Sequence, residues 1–366
     1  MLAGYWKNLK INVVSGAAGH ARAGGWRALT RFALETAGYN APELLLPILS
    51  RRADASLLLI ENETSTLMAL PFVSQYLVDS SLQSPLLASG VPHVASSAYG
   101  DALTAFLKNQ NKPFLFKTLP SEGKFFAALK QQSTHFSVLN SWQRASLETS
   151  GSFSSWMSKN FDQKRRKEFK RLRNRLSEQG QLTLDVLNKS EGLEQFIRDL
   201  LDLEASGWKG KRGTALKSDA DMNFAFRAAM INLAAADKLR FWRLALDGKP
   251  IAILYAVVEG ENAWLGKIAH DENYAKFSPG VLIILDATES FFGEDGIKRV
   301  DSSAIPNHPM IDRIWRDRIA MADVLVAADR VTPRRFALTI KALQLKQNLR
   351  STAKMMFYKL TKRKIT

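Results

Sequence analysis

The chain has 366 residues, of which 46% are hydrophobic and 23% charged. That supports a globular fold, and the length predicts two domains rather than one small core. There is no cysteine, which excludes disulfides, thiolate catalysis, Cys-ligated zinc and iron–sulfur clusters. Net charge is +16, a balance that suits nucleic acid or anionic lipid as partners, so each basic stretch has to be read locally.

The stretch MLAGYWKNLKINVVSG shows no uninterrupted apolar core before a small-residue cleavage site. No run approaches the roughly 20 apolar residues of a membrane-spanning helix. A soluble, cytoplasmic protein is the expectation. Residues 1–150 read as an α/β unit without a catalytic motif. Within it, 55–63 and 66–77 predict two strands around Glu63-Thr64-Ser65. Helices are predicted over 100–109 and 121–132, and strands near 113–118 and 135–140. The polar break Ser150-Gly151-Ser152 marks the boundary of a second unit, 151–330.

The second unit opens with a helix over 162–179, in which Phe161, Phe169, Leu172 and Leu176 recur at helical spacing. Its cations, from Lys164 to Arg175, read as a solvated face, because no aromatic stacking platform interleaves them. A strand over 182–188 follows, then a helix from Ser190 through Glu204 and another over 217–236. Residues 240–270 give three β-rich runs separated by Asp247-Gly248-Lys249 and Glu259-Gly260-Glu261. The third run breaks at Asp271 into a polar loop with the step Ser278-Pro279-Gly280. An apolar helix and a short strand ending in Asp301 come next. Strands, a Gly-containing loop and a helix start together make a diphosphate cradle, since the first N–H groups of a helix are unpaired and its dipole favours an anion. After Asp329 the chain carries eleven cations and no acid, so 331–366 read as a basic amphipathic helix. That helix either packs on its own domain or touches an anionic membrane or a membrane-bound synthase. No H-E-x-x-H, H-x-x-x-H or G-x-S-x-G element is present, and no metal site is expected.

Several segments resemble the CelD-like acetyltransferases, a branch of the GNAT superfamily associated with cellulose and exopolysaccharide synthesis. KRRKEFKRLRNRLSEQG (164–180) is similar to that family's opening helix, and LEASGWKGKRGTAL (203–216) to the loop between its first two helices. FWRLALDGKPIAILYAVVEG resembles its central strands, and HDENYAKFSPGVLI its CoA-diphosphate loop and helix. DSSAIPNHPMIDRIWRDR (301–318) is similar to its following strand-to-helix segment, which puts Asp312, Trp315 and Arg316 on a helix. The likeness covers roughly 160–320 in order. The loop has one glycine where classical GNATs show a Gly-rich run.

The resemblance implies an α+β fold of tandem GNAT-like domains, with a mixed, mostly antiparallel sheet flanked by helices and 1–150 as a degenerate partner half. It implies an acyl-CoA-dependent N- or O-acyltransferase of polysaccharide or cell-envelope biosynthesis, with acetyl-CoA or another acyl-CoA as co-substrate. Cofactor contacts fall on Lys276, Phe277, Ser278, Pro279 and Gly280. Ser278 and Pro279 are equally ordinary helix-start residues. Asp301 would face the gap where acyl group and acceptor meet, or else cap the Asp-Ser-Ser turn. His308 is either a proton shuttle or a turn residue before Pro309. Asp271 and Tyr274, at the loop mouth, either act as acids or close the loop. The acceptor, a small molecule or saccharide, would lie against Glu204, Trp208, Lys209, Arg212 and Gly213, with Trp208 offering a flat apolar face. Two rival readings are a FemAB-like aminoacyl transferase using aminoacyl-tRNA, with RNA on the basic helices, and a non-catalytic binding protein of the polysaccharide machinery.

Overall fold

The computed structural model describes residues 9–15, 17–187 and 191–362. In the first half the elements are β1 (Lys10–Ser15), α1 (Ala23–Thr30), α2 (Pro42–Leu49), β2 (Ala55–Glu61), β3 (Thr66–Ser74), β4 (Asp79–Ser81), β5 (His93–Val94), α3 (Tyr99–Asn109), β6 (Phe114–Pro120), α4 (Lys124–Gln132) and β7 (His135–Glu148). The second half contains α5 (Phe153–Asn160), α6 (Gln163–Ser177), β8 (Leu182–Leu187), α7 (Leu193–Ser206), α8 (Trp208–Lys211), α9 (Ala220–Ala235), β9 (Leu239–Leu246), β10 (Lys249–Glu259), β11 (Asn262–His270), α10 (Pro279–Gly293), β12 (Arg299–Asp301), β13 (Asp317–Ala327) and α11 (Pro333–Lys362).

Among the described residues thirteen strands form one sheet in the order β1-β2-β3-β4-β6-β13-β7-β12-β11-β10-β9-β8, with β5 against β3. Only β4–β6 and β11–β12 pair in parallel. The two halves exchange strands at the centre. β13, late in the sequence, lies between β6 and β7, and the far end of β7 pairs with β12. One large core lies on the face covered by α1 to α4, α7 and α9, and a second on the face covered by α5, α6 and α10. β10 is apolar almost throughout and buried on both sides, as a central strand requires. The β9–β10 connection is tight because Asp247 and Gly248 both adopt positive φ, +50° and +76°, which matches the twist of a two-residue hairpin.

A polar joint ties the halves together. Glu259, at the end of β10, accepts from the Ala37 N–H at 3.2 Å and pairs with Lys238 at 3.1 Å. Lys238 also reaches Glu43 on α2 at 3.2 Å. His93 lies 3.5 Å from Glu259 and accepts the Trp26 indole N–H at Nδ1 (3.1 Å), which puts its ring proton on Nε2, facing the carboxylate.

Most predicted elements form near where the pattern puts them; the helix expected over 121–132 starts at Lys124 and the strand expected over 135–140 runs on to Glu148, and three further elements differ. The helix expected from Ser190 starts at Leu193 behind Gly192, and Ser190 lies outside the described residues. The helix expected from Lys217 starts at Ala220, where the Asp219 side chain accepts the Met222 N–H at 3.1 Å. The segment expected to carry Asp312, Trp315 and Arg316 on a helix is instead a single 3₁₀ turn, Ile311–Arg313, running into β13. Trp315 is fully buried and donates its indole N–H to Thr288 Oγ1 of α10 at 3.0 Å. This pins the segment extended beside α10, and the sheet takes up the residues that follow. Among the described residues no helix is long and apolar enough to cross a membrane. The basic tail is helical from Pro333 to Lys362; Arg363 and Lys364 lie outside the described residues.

Candidate active site

β11 is the strand on which the site is built. It pairs with β12 only through Asn262, Ala263 and Trp264. β12 then ends at Asp301, while β11 continues to His270, leaving that edge of β11 without a strand partner among the described residues. The β10–β11 register slips over the same stretch: Ala256 faces Leu265 but Leu254 faces Ile268. Gly266 and Lys267 therefore share one opposing residue, Tyr255, and form a bulge. Bulges re-aim backbone donors and side chains and are frequent beside active sites. Gly266 is required here, because a Cβ would overlap the Tyr255 ring.

Side chains from the first half close the inner end of this opening. Tyr39, buried, donates its hydroxyl to the Leu265 carbonyl at 2.5 Å. Burial pushes its phenol pKa upward, so it stays a neutral donor. Asp301 is buried and pairs with Arg144 of β7 at 3.0 Å, while its other oxygen accepts the Ser303 N–H at 2.7 Å. Its charge is thus balanced and its orientation fixed.

The outer end is bounded by the start of α10. The Asp271 side chain accepts the Asn273 N–H at 2.9 Å and so starts a 3₁₀ turn, Glu272–Phe277. Tyr274, half-buried, packs on the second core, and Phe277 is part of that core. Lys276 is exposed, with its ammonium 4.9 Å from the centroid of the Phe277 ring. Ser278 adopts a left-handed conformation (φ +52°), and its hydroxyl caps nothing. Val281 and Leu282 both bond to the Ser278 carbonyl, so the Gly280 N–H stands outside that pattern. A Cβ on Gly280 would sit 3.1 Å from Met310 Sδ and 3.3 Å from His270 Nδ1. One backbone donor, a free hydroxyl and a nearby ammonium fit a phosphate, in line with the single glycine of the loop.

On the other side of His270 stands the predicted acceptor wall. Glu204, at the end of α7, is buried and binds both Lys209 (2.9 Å) and Lys267 (3.0 Å) through one oxygen. Its second oxygen accepts the Leu216 N–H at 2.8 Å. Burial raises the Glu204 pKa, but Lys267, the Leu216 N–H and Lys209 outweigh it and hold the carboxyl below its ordinary range. Burial and the neighbouring Lys209 depress Lys267, with Glu204 opposing them. Trp208 is 55% exposed, and its N–H donates to Glu272 at 2.9 Å. The Arg212 guanidinium lies 5.3 Å from its ring centroid. Gly213 supplies a left-handed turn (φ +66°) and faces open space.

A cavity of about 150 Å³ lies between this wall and β11, lined by Glu204, Trp208, Lys209, His270, Glu272 and Met310 among others. A neighbouring one of about 440 Å³ shares Leu203 and Glu272 with it and is lined by Asp199, Asp202, Lys211 and Asp271. The structure therefore gathers Glu204, Trp208, Lys209 and Gly280 around His270. His308 stands apart in the loop that follows. Its Nδ1 accepts from the Met310 and Ile311 N–H groups at 3.4 Å, and burial lowers its pKa against the pull of Asp312. Among the described residues no hydrogen bond joins His308 to Asp301. Lys267 and His270 escaped sequence reading, although a charged residue inside the apolar run AWLGKIAH was the available signal. Tyr39 and Arg144 carried none, because only the strand exchange brings them here.

Residues 163–307 match the family model described as acetyltransferase (GNAT) domain. That segment is similar to GNAT domains. A search of curated protein sequences finds no match. Among solved structures, L-PGS from Bacillus licheniformis superposes with a TM-score of 0.54 at 11% identity, over 86% of this chain and 94% of that one. FemX does so with 0.53 at 10% identity, over 82% and 95%. A conserved protein of unknown function from Bacteroides thetaiotaomicron gives 0.54 at 14% identity, over 83% and 97%. At these identities the likeness speaks for the fold. It extends over both halves, consistent with tandem GNAT-like domains on one mixed sheet.

Proposed function

We propose that the chain is an acyl-CoA-dependent N- or O-acyltransferase of polysaccharide or cell-envelope biosynthesis, with 151–330 as the transferase half and 1–150 as its partner. The observation that supports this most is the meeting of the α10 start with the unpaired, bulged end of β11 beside a small cavity. The Gly280 N–H, Ser278 hydroxyl and Lys276 would hold the diphosphate. Acyl-CoA, when bound, supplies an activated thioester carbonyl. The Gly266 N–H at the bulge would stabilise negative charge on that carbonyl oxygen, since the Lys267 N–H is already engaged by the Tyr255 hydroxyl. Transfer would be direct, without a covalent enzyme intermediate. Asp301, tied to Arg144 and the Ser303 N–H, suits an orienting role. His270 faces the cavity between Trp208 and Gly280, and we assign it the acceptor proton; His308, Asp271 and Tyr274 are the other candidates.

Titration calorimetry with acetyl-CoA and longer acyl-CoAs tests the donor. Saturable binding supports the reading, and no binding of any acyl-CoA overturns it. The exposed cations of α6 beside the 272–277 turn favour one alternative, an aminoacyl-tRNA donor. Salt-dependent tRNA binding together with failure to bind acyl-CoA would select it. With a donor in hand, His270→Ala should lower turnover by about a hundred- to ten-thousand-fold, as loss of a general base does. A wild-type rate would pass that role to His308, Asp271 or Tyr274.

A further inference from the structure

α11 has two faces that serve different ends. Over its first three turns Phe336, Ile340 and Leu343 pack with Val78, Leu115, Leu325 and Val331 in a small separate core. Arg335 donates to the Asn111 carbonyl at 2.8 Å and Gln347 to Asn140 at 3.0 Å. The helix then runs on to Lys362. Opposite the packed face lie Leu338, Leu345, Leu349 and Met356, which are 65%, 61%, 62% and 59% exposed. Their spacings are seven, four and seven residues. At 3.6 residues per turn the four fall within about 20° of one line. Lone exposed leucines are ordinary, but four on one line make a continuous apolar stripe.

The charge around the stripe has one sign. Every charged side chain after Asp329 is a Lys or Arg. Lys341 flanks the stripe on one side, Lys346 and Arg350 on the other. Lys346 and Arg350 also stand near Lys117 of β6, whose ammonium is depressed by burial and by these two cations against the pull of Asp323. Three cations gathered there raise the local potential. A second copy of this helix would bring cations against cations along the seam. An anionic lipid surface accepts both features: leucines enter the acyl boundary, and long basic side chains reach back to the headgroups.

We propose that the outer part of α11 docks on an anionic membrane surface through Leu345, Leu349 and Met356, flanked by Lys346 and Arg350. This holds whichever acyl donor the transferase half uses. The test is co-sedimentation of the full chain with phosphatidylglycerol–phosphatidylcholine vesicles and with pure phosphatidylcholine vesicles, at low and high salt. Binding is expected on the anionic vesicles only, and salt should weaken it. The double variant Lys346→Gln/Arg350→Gln should lose about thirtyfold in partitioning, from roughly a fivefold contribution per cation. Leu345→Gln/Leu349→Gln should lose at least about tenfold. Both variants alter exposed positions, so their thermal unfolding should match the parent. Indifference of the full chain to anionic vesicles at low salt overturns the proposal, as does parent-like binding by the leucine variant. Sedimentation velocity showing a dimer that the leucine variant dissociates, without vesicle binding, would overturn it in favour of a second copy.

Discussion

Replacing Glu204 by Gln tests the charge balance at the proposed acceptor wall. The substitution keeps shape and removes one negative charge. Two ammonium groups, Lys209 and Lys267, then face each other without their shared counterion. The Glu204 side chain is 2% exposed and that of Lys267 15%, whereas that of Lys209 is 27% exposed. Water can therefore re-solvate Lys209 but reaches Lys267 poorly. Removing one partner of a buried pair costs about 3–5 kcal/mol, and the access to Lys209 places the expected loss near the lower end, about 3 kcal/mol. Lys267→Met by itself leaves a neutral Glu204–Lys209 pair and should cost less. In the double variant the uncompensated buried charge is gone, so the losses should not add. Urea unfolding of the parent, both single variants and the double should give a coupling of about 1–3 kcal/mol. Hydrogen exchange at the Leu216 amide, which donates to Glu204, should accelerate in Glu204→Gln. Additivity within about 0.5 kcal/mol would refute the shared-counterion account.

The second half was legible because its local signals agree with its tertiary role. The Asp-Gly turn, the apolar β10 run and the Ser-Pro-Gly helix start each announce a structure that packing then uses. Trp208, Lys209 and Glu204 could be placed on one wall because they lie within a single short segment. Asp301 was legible as a position but not as an environment: its partner, Arg144, sits on β7, far away in sequence and in the other half. β13 was hidden for a related reason. Its residues pair with β6 and β7, which no local periodicity records, and the helix-like spacing of the residues before it belongs to a segment that Trp315 anchors extended. The basic tail showed its charge in the sequence, but only the structure separates the face that packs from the stripe left exposed.

At the joint between the halves, burial raises Glu259 while the His93 hydrogen bond and Lys238 bring it down to about 2, from an ordinary 4.5. A carboxylate depressed in the folded state contributes stability above its unfolded pKa and loses it as pH falls through the folded one, so this contribution, about 3 kcal/mol, should fade from near pH 4.5 toward pH 2. Glu259→Gln should flatten the acid arm of the stability curve; an unchanged acid arm contradicts the assignment. Asp301→Asn should destabilise by leaving Arg144, 4% exposed, without its counterion, while Asp301→Asn/Arg144→Met should recover part of the loss. If the double variant is worse than the sum of the singles, the pair is not the reason for that burial. The last prediction separates fold from ligand. An Asp at position 280 enters the first turn of α10, where a negative charge favours the helix dipole by about 0.3–1 kcal/mol, so Gly280→Asp should not weaken the helix itself. Gly280 does not adopt positive φ, and the nearest atom to its Cβ, Met310 Sδ at 3.1 Å, belongs to a flexible side chain. The same charge would face a diphosphate. A unit charge at about 4 Å in an effective dielectric near 20 is worth about 4 kcal/mol, and a third of that already weakens binding about tenfold. Calorimetry should find a folded Gly280→Asp variant with acyl-CoA affinity lowered at least about tenfold. Gly280→Ala adds only a methyl against the side-chain atoms Met310 Sδ and His270 Nδ1 and should bind nearly as the parent does. An Asp variant with parent-like affinity would mean that the diphosphate does not bind at the start of α10.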